Sequence, residues 1–257
     1  MKPYQKFAEV YDLMGADDFS IRMTEYCFKI FRRFKIKPTT GLDLCCGTGS
    51  AVLKFSERGL IMAGLDRSSA MLAMAAKKLK GRRVPLYHKS LPRFRILDPV
   101  NSRKARRFDL ATCFFDSLNY LTTKAKLKTA FKSVYNHLQP GGWFIFDMNT
   151  PAAMKILWGS QEHTQVTDNL VSIWRNKYNP GNDSAACVAT FFRKKGKAWE
   201  RFDEVHIERA YDNQTIRKAL RDAGFVVRGF YRCFSFEKPR KGTYRIAVVA
   251  EKPARAG

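Results

Sequence analysis

The chain has 257 residues, 45% of them hydrophobic and 13% aromatic, and its 47 Lys plus Arg against 23 Asp plus Glu give a formal charge of +24. This composition excludes a disordered, a collagen-like or a disulfide-stapled miniature chain and supplies enough apolar surface for one large domain. No apolar run reaches the roughly 18 residues that span a bilayer, MKPYQKFAEVYD lacks the apolar stretch of a secretion signal, and the six cysteines show neither a CxxC pair nor zinc-ligand spacing, so a reduced, cytoplasmic protein without metal or membrane partner is expected.

Residues 1–39 read as an N-terminal helical cap. From Phe7 to Lys37, Met23, Tyr26, Cys27, Ile30, Phe31 and Phe34 recur at helical spacing, and Pro38 ends the run. Over 40–150, short apolar runs alternate with helical stretches, the pattern of β-α-β units around a parallel sheet. Strands are predicted at Leu42 to Cys45, Leu60 to Leu65, Val84 to Tyr87, Phe108 to Phe114 and Trp143 to Met148. Helices open near Ser50, Ser68 and Thr123, the last two where a Ser or Thr precedes an apolar helical face. Over 151–210 the period drops to two: Leu170 to Tyr178, Ala185 to Arg193 and Trp199 to Arg209 read as antiparallel strands of an inserted sheet. In 211–257 a helix bearing Ile216, Ala219, Leu220 and Ala223 stops at Gly224, and Phe225 to Phe236 and Tyr244 to Val249 follow as strands. The whole is expected to be one α/β domain.

The sharpest motif is GLDLCCGTGS, Gly41 to Ser50: an apolar strand with Asp43, a small-residue turn, then a helix. Such a turn lets a ligand approach the backbone beside helix N-terminal amides. Asp66 stands at the end of the second strand, where an acid suits the two hydroxyls of a ribose. A nicotinamide dinucleotide is the first alternative, but its GxGxxG pattern fails at Val52, where the third glycine belongs.

At these residues the chain resembles the class I S-adenosylmethionine-dependent methyltransferases, of small-molecule type. The likeness lies in the glycine loop, with Cys45 in place of the first glycine, and continues through LDRSSAML, FDLATCFFDSLNYL and LQPGGWFIFDMNTP, with FAEVYD and ERAY...ALRDAGF at the two ends. It implies a Rossmann-like seven-stranded sheet with helices on both faces, and S-adenosylmethionine as cofactor. It also implies that Asp43, Cys45, Gly47, Thr48 and Gly49 surround the methionine part, that Asp66 holds the ribose, and that Arg67 and Ser68 flank the adenosine. Ser90 occupies the position where an acid near the adenine amino group is expected.

In an open α/β sheet the loop after the fourth strand faces the ligand. Here the rings of Phe114, Phe115 and Tyr120 can line the methyl path, Asp116 can line the pocket, receive a proton or hold a substrate amine and Asn119 can orient it, although Asp116 and Asn119 also suit turn formation. Alternation puts Phe202, Glu204, His206 and Glu208 on one strand face; His206 is a candidate base, while a solvated outer face suits the glutamates as well. Tyr4 and Tyr11 can close the cleft, and Tyr11 joins His206 and Asp116 as a candidate catalytic residue. Methyl transfer is an in-line displacement, so positioning can carry most of it.

Basic residues crowd Lys77, Lys78, Lys80, Arg82, Arg83, Lys89, Arg93, Arg95, Arg103, Lys104, Arg106 and Arg107, with Asp98 the one acid among them. Such a patch attracts polyanions, and RNA or ribosomal methylation is the rival reading. No NPPY-like loop follows strand four, and the patch is expected on the side away from the acceptor cleft, so a small-molecule acceptor is favoured over nucleic acid. A non-catalytic S-adenosylmethionine-binding protein is the third reading. Oligomeric state is not legible.

Overall fold

The computed structural model describes residues 3–159 and 161–254. Its first elements are not the long helix that the sequence predicts. Residues 3–17 form a strap with two short 3-10 turns, Phe7–Glu9 and Asp12–Met14, and α1 spans Asp18–Phe34. The reason is Gly15, whose φ of 67° breaks any continuous helix before Asp18. At the other end Lys35 adopts a left-handed conformation and its amide returns to the carbonyls of Phe31 and Arg32, so the helix closes before Pro38.

The core elements follow in alternation: β1 (Thr40–Leu44), α2 (Ser50–Glu57), β2 (Ile61–Asp66), α3 (Ser69–Lys78), β3 (Leu86–His88), β4 (Phe108–Cys113), α4 (Lys124–Asn136) and β5 (Leu138–Asn149). The caps are those read from sequence: Ser68 Oγ accepts from the Met71 amide and Thr123 Oγ1 from Lys126. α5 (Pro151–Ile156) and β6 (Glu162–Val166) were not expected. α5 has a Thr150 cap and proline in its first turn but is too short for a periodic face. β6 is exposed throughout, so it carries no apolar alternation.

β7 (Leu170–Asn179), β8 (Ser184–Lys195) and β9 (Ala198–Arg209) are the expected strands, and with β6 they make a four-stranded antiparallel sheet in the order β6-β7-β8-β9. α6 (Asn213–Ala223), β10 (Val226–Arg232) and β11 (Arg245–Glu251) close the fold, β10 ending four residues before the expected Phe236.

The main sheet has seven strands in the order β10-β11-β5-β4-β1-β2-β3, with β11 antiparallel to both neighbours. Apolar faces of α1, α2 and α3 pack with Met62, Leu110, Ile145 and Val249 on one side. Those of α4 and α6 pack with Leu42, Leu65, Phe144 and Val248 on the other. Helices therefore cover both faces, as the resemblance implies. Chain order reverses between β1 and β4, so a crevice opens at the carboxyl ends of these strands. The inserted sheet lies over the strap, its Leu170, Ala189, Phe191 and Phe202 packing on Phe7 and Val10.

Candidate active site

A cavity occupies this crevice. Its wall comes from the loop after β1 (Cys45 to Thr48), the end of β2 (Asp66, Arg67), the segment after β3 (Lys89 to Pro92), the loop after β4 (Phe114, Phe115, Ser117, Tyr120) and the strap (Tyr4, Tyr11). Expected residues from five separate segments thus meet. Asp43, Gly49, Asp116 and His206 are not on its wall.

The loop's glycines do different work. Gly47, at φ 53°, has open space where a Cβ would sit and presents bare backbone to the cavity. Gly49, at φ 82°, packs α2 against α3: a Cβ there would lie 3.1 Å from that of Ala75. Cys45 adopts φ 55° without being glycine, so its position is one a glycine would take without strain. Asp43 lies buried behind the loop, where its Oδ1 accepts from the Thr112 hydroxyl at 2.6 Å, and burial pushes its carboxyl up to about 7. Asp66 accepts the Gly47 amide on Oδ2 at 3.0 Å and the Ser68 amide on Oδ1 at 2.8 Å. It therefore fixes the glycine loop and is itself one of the residues that line the cavity.

The strap is latched at both ends. At one end Glu204 of β9, fully buried, accepts the amides of Tyr4, Gln5 and Phe7 at 2.5, 3.0 and 3.2 Å. Burial raises its carboxyl and the three amides pull it back. At the other, Asp12 takes the Thr48 hydroxyl and Asp17 the Ser50 hydroxyl, both at 2.6 Å, while Lys78 bridges the two acids at 2.8 and 3.2 Å. Lys78 is thus a strut and not part of a solvated basic patch. Sequence gave no sign of either latch, since their partners lie up to 200 residues apart. Glu204→Gln should keep the fold but loosen the strap, raising the dissociation constant for S-adenosylmethionine about tenfold, since charge-assisted hydrogen bonds contribute about 1.5–3 kcal/mol each. Calorimetry that shows an unchanged constant would refute the latch.

Tyr120, one of the aromatic rings expected near the ligand, also links the cavity to His206, which sequence reasoning did not foresee: its hydroxyl lies 2.7 Å from that of Tyr4 and 2.8 Å from His206 Nδ1. Burial pushes His206 down to about 4, and its Nε2 faces Glu204 Oε2 at 3.7 Å. The stripe on β9 is accordingly buried and not solvated, Glu204, His206 and Glu208 all lying inside. Burial and neighbouring Asp116 raise the Glu208 carboxyl strongly.

Asp116 Oδ2 is held by Arg245 Nη2 at 2.9 Å and by the Asn149 side-chain amide. Phe115 and Asp116 are both left-handed, at φ 55° and 49°, and Asp147 holds their amides at 2.7 and 3.1 Å. Tyr11 lines the cavity, but burial and the carboxylates of Asp116 and Asp17 keep its phenol protonated.

Comparison with known proteins accords with this geometry. A family profile described as a methyltransferase domain matches residues 42–142. An S-adenosylmethionine-dependent methyltransferase from Clostridium acetobutylicum ATCC 824, solved by crystallography, is 30% identical, covers 97% of this chain and 98% of its own, and superposes with a TM-score of 0.85. The chain belongs to the S-adenosylmethionine-dependent methyltransferases. The YqeM protein of Bacillus subtilis (strain 168) is 27% identical over 251 residues, 97% of each chain. The dTDP-3-amino-3,4,6-trideoxy-alpha-D-glucopyranose N,N-dimethyltransferase of Streptomyces venezuelae is 26% identical over 230 residues, 86% of this chain and 90% of that one.

S-adenosylmethionine is the methyltransferase's cofactor, and the residues present fit it. An acid closes β2, bare backbone at Gly47 faces the cavity, and Ser90 and Leu91 line the adjoining wall.

Proposed function

We propose that this methyltransferase acts on an amine nitrogen of a small-molecule acceptor held among Tyr4, Tyr11, Phe115 and Tyr120. Under this reading Asp66 holds the cofactor's ribose, Cys45, Gly47 and Thr48 lie along its methionine part, and Arg67 and Ser90 flank the adenosine.

The observation that carries the acceptor side is a row of linked polar groups, the Tyr4 and Tyr120 hydroxyls and His206 Nδ1, each at hydrogen-bond distance from the next. In this reading neutral His206 carries its proton on Nε2, on the side of the Glu204 carboxylate 3.7 Å away, and Nδ1 is the acceptor. The Tyr120 hydroxyl then donates to Nδ1 and the Tyr4 hydroxyl donates to Tyr120. Both phenols stay protonated, because burial raises them. In this arrangement the two hydroxyl oxygens keep lone pairs that can accept the N–H groups of an amine placed beside them. The amino-sugar N,N-dimethyltransferase among the relatives supports a nitrogen acceptor.

S-adenosylmethionine supplies an electrophilic methyl group on a good leaving group. What the chain contributes is alignment, the larger share of such a displacement. A His206 at about 4 is too weak a base to deprotonate an ammonium at neutral pH, and Asp116 is neutralised by Arg245. His206 therefore orients Tyr120, and the acceptor arrives as the free amine.

Amino sugars, free and nucleotide-linked, and their hydroxyl counterparts incubated with the enzyme and S-adenosylmethionine test this by product mass. Methyl on nitrogen is expected, and transfer to the hydroxyl compounds alone would refute it. Tyr120→Phe and His206→Ala should lower kcat about 10- to 100-fold, the range of a positioning loss, with cofactor binding within twofold of wild type. Normal turnover in either removes that residue from the mechanism.

A further inference from the structure

The basic residues that the sequence crowds between 77 and 107 find no role in the reaction. Twelve cations stand in this stretch against one carboxylate, Asp98, which is occupied by the amides of Val100 and Asn101 at 2.9 Å. Lys78 pairs with Asp12 and Asp17, and Arg82 with Glu57 at 3.7 Å. Among the described residues the other ten have no carboxylate within 4.0 Å, and all but Arg106 are exposed.

Several of these cations are brought together beside the edge strand β3. Arg95 Nη2 donates to the Arg103 carbonyl at 2.8 Å, the Arg106 amide to the Ile96 carbonyl at 2.9 Å, and Arg106 Nη1 to the Tyr87 hydroxyl of β3 at 3.0 Å. From β3 the chain passes directly to Lys89, which lines the cavity together with the exposed Arg67 and Lys126. Lys89 thus brings the basic stretch to the part of the rim formed by residues 89–92, away from Tyr4, Tyr11 and Phe115. The stretch runs from the edge of the sheet to the rim of the cavity. Protection of an edge strand against pairing requires only one or two charges. Ten unpaired cations repel one another in the folded state, and a polyanion relieves that repulsion.

We propose that this face binds the phosphodiester backbone of a single-stranded nucleic acid. Seven of the twelve cations are arginines, whose planar forks match phosphate oxygens in pairs. The cations follow an edge and end at a rim, which suits a chain better than a plane. The inference is independent of which molecule receives the methyl group, since the cations beyond the rim lie outside the cavity.

The test uses the full chain, freed of nucleic acid, and a fluorescent 20-nucleotide oligouridylate followed by anisotropy without cofactor. Saturable binding is expected to weaken about 100-fold between 50 and 200 mM KCl, which corresponds to roughly five neutralised phosphates on a single strand. Arg93→Glu, Arg95→Glu, Arg103→Glu and Arg107→Glu combined should weaken it at least tenfold and flatten the salt slope. The control reverses four exposed cations elsewhere, Arg32, Lys37, Lys238 and Lys241, each to Glu, for the same change in net charge. Unchanged calorimetric binding of S-adenosylmethionine shows that both variants are folded. Equal weakening in the control would reduce the effect to net charge and overturn the proposal. So would the absence of RNA binding, or binding only to vesicles containing 30% phosphatidylserine.

Discussion

Asp66→Ala is expected to raise the dissociation constant for S-adenosylmethionine at least 100-fold. Two hydrogen bonds from ribose hydroxyls to an ionised carboxylate contribute about 1.5–3 kcal/mol each, and every 1.4 kcal/mol is about tenfold in affinity. A second loss adds to this one. Without the carboxylate, the Gly47 amide has no acceptor at 3.0 Å and the glycine loop is no longer fixed to β2. Asp66→Asn separates the two effects, because a carboxamide oxygen can still accept the Gly47 amide while the charge is gone. About a tenfold loss is expected there. Calorimetry at pH 7.5 on wild type and both variants reads the difference directly. A change below fivefold in Asp66→Ala would remove the ribose role and leave Asp66 as a fastener of the loop.

Much of this cofactor frame was legible because its signals are local. Ser68 and Thr123 cap the helices they precede, Gly224 ends α6 at φ 106°, and Asp66 is the last residue of β2. Each depends on residues within a few positions. The β9 alternation was equally plain, but not which of its faces is buried: period two gives the faces and not their surroundings. That was decided by the strap, whose three amides need a carboxylate and find it in Glu204. Arg245, Asp147 and the link from Tyr120 to His206 escaped notice because their partners come from distant segments, and no spacing rule connects residues 116, 147 and 245.

Arg245→Met should be the most destabilising single change. The guanidinium bridges Asp147 at 2.6 Å and Asp116 at 2.9 Å, with its plane beside Phe19 and Phe115 at 4.5 and 5.4 Å. Methionine fills much of the volume but leaves two carboxylates buried without their counter-ion, a loss of about 3–5 kcal/mol. For a chain of this size that corresponds to a fall in Tm of roughly 6–20 °C. The deficit should depend on pH in a definite sense. Burial already holds Asp147 at about 6 in spite of Arg245, above its unfolded value, so the folded state binds more protons than the unfolded one between those values. Stability from this group therefore falls as pH rises through about 6. Loss of the cation moves the folded value further up, which deepens the deficit at pH 8 and relieves it at pH 5.5. Thermal melts of both proteins at the two pH values should show the gap narrowing in acid. In the double variant Arg245→Met with Asp147→Asn, part of the lost stability should return at pH 8, because the neutral amide can still accept the Phe115 amide and carries no charge. Phe115 of the left-handed turn lines the cavity, and the turn rests on this same pair. The single variant should accordingly lose turnover even at temperatures where it stays folded. A gap that is equal at both pH values would mean that Arg245 acts through packing on Phe19 and Phe115 and not through its charge.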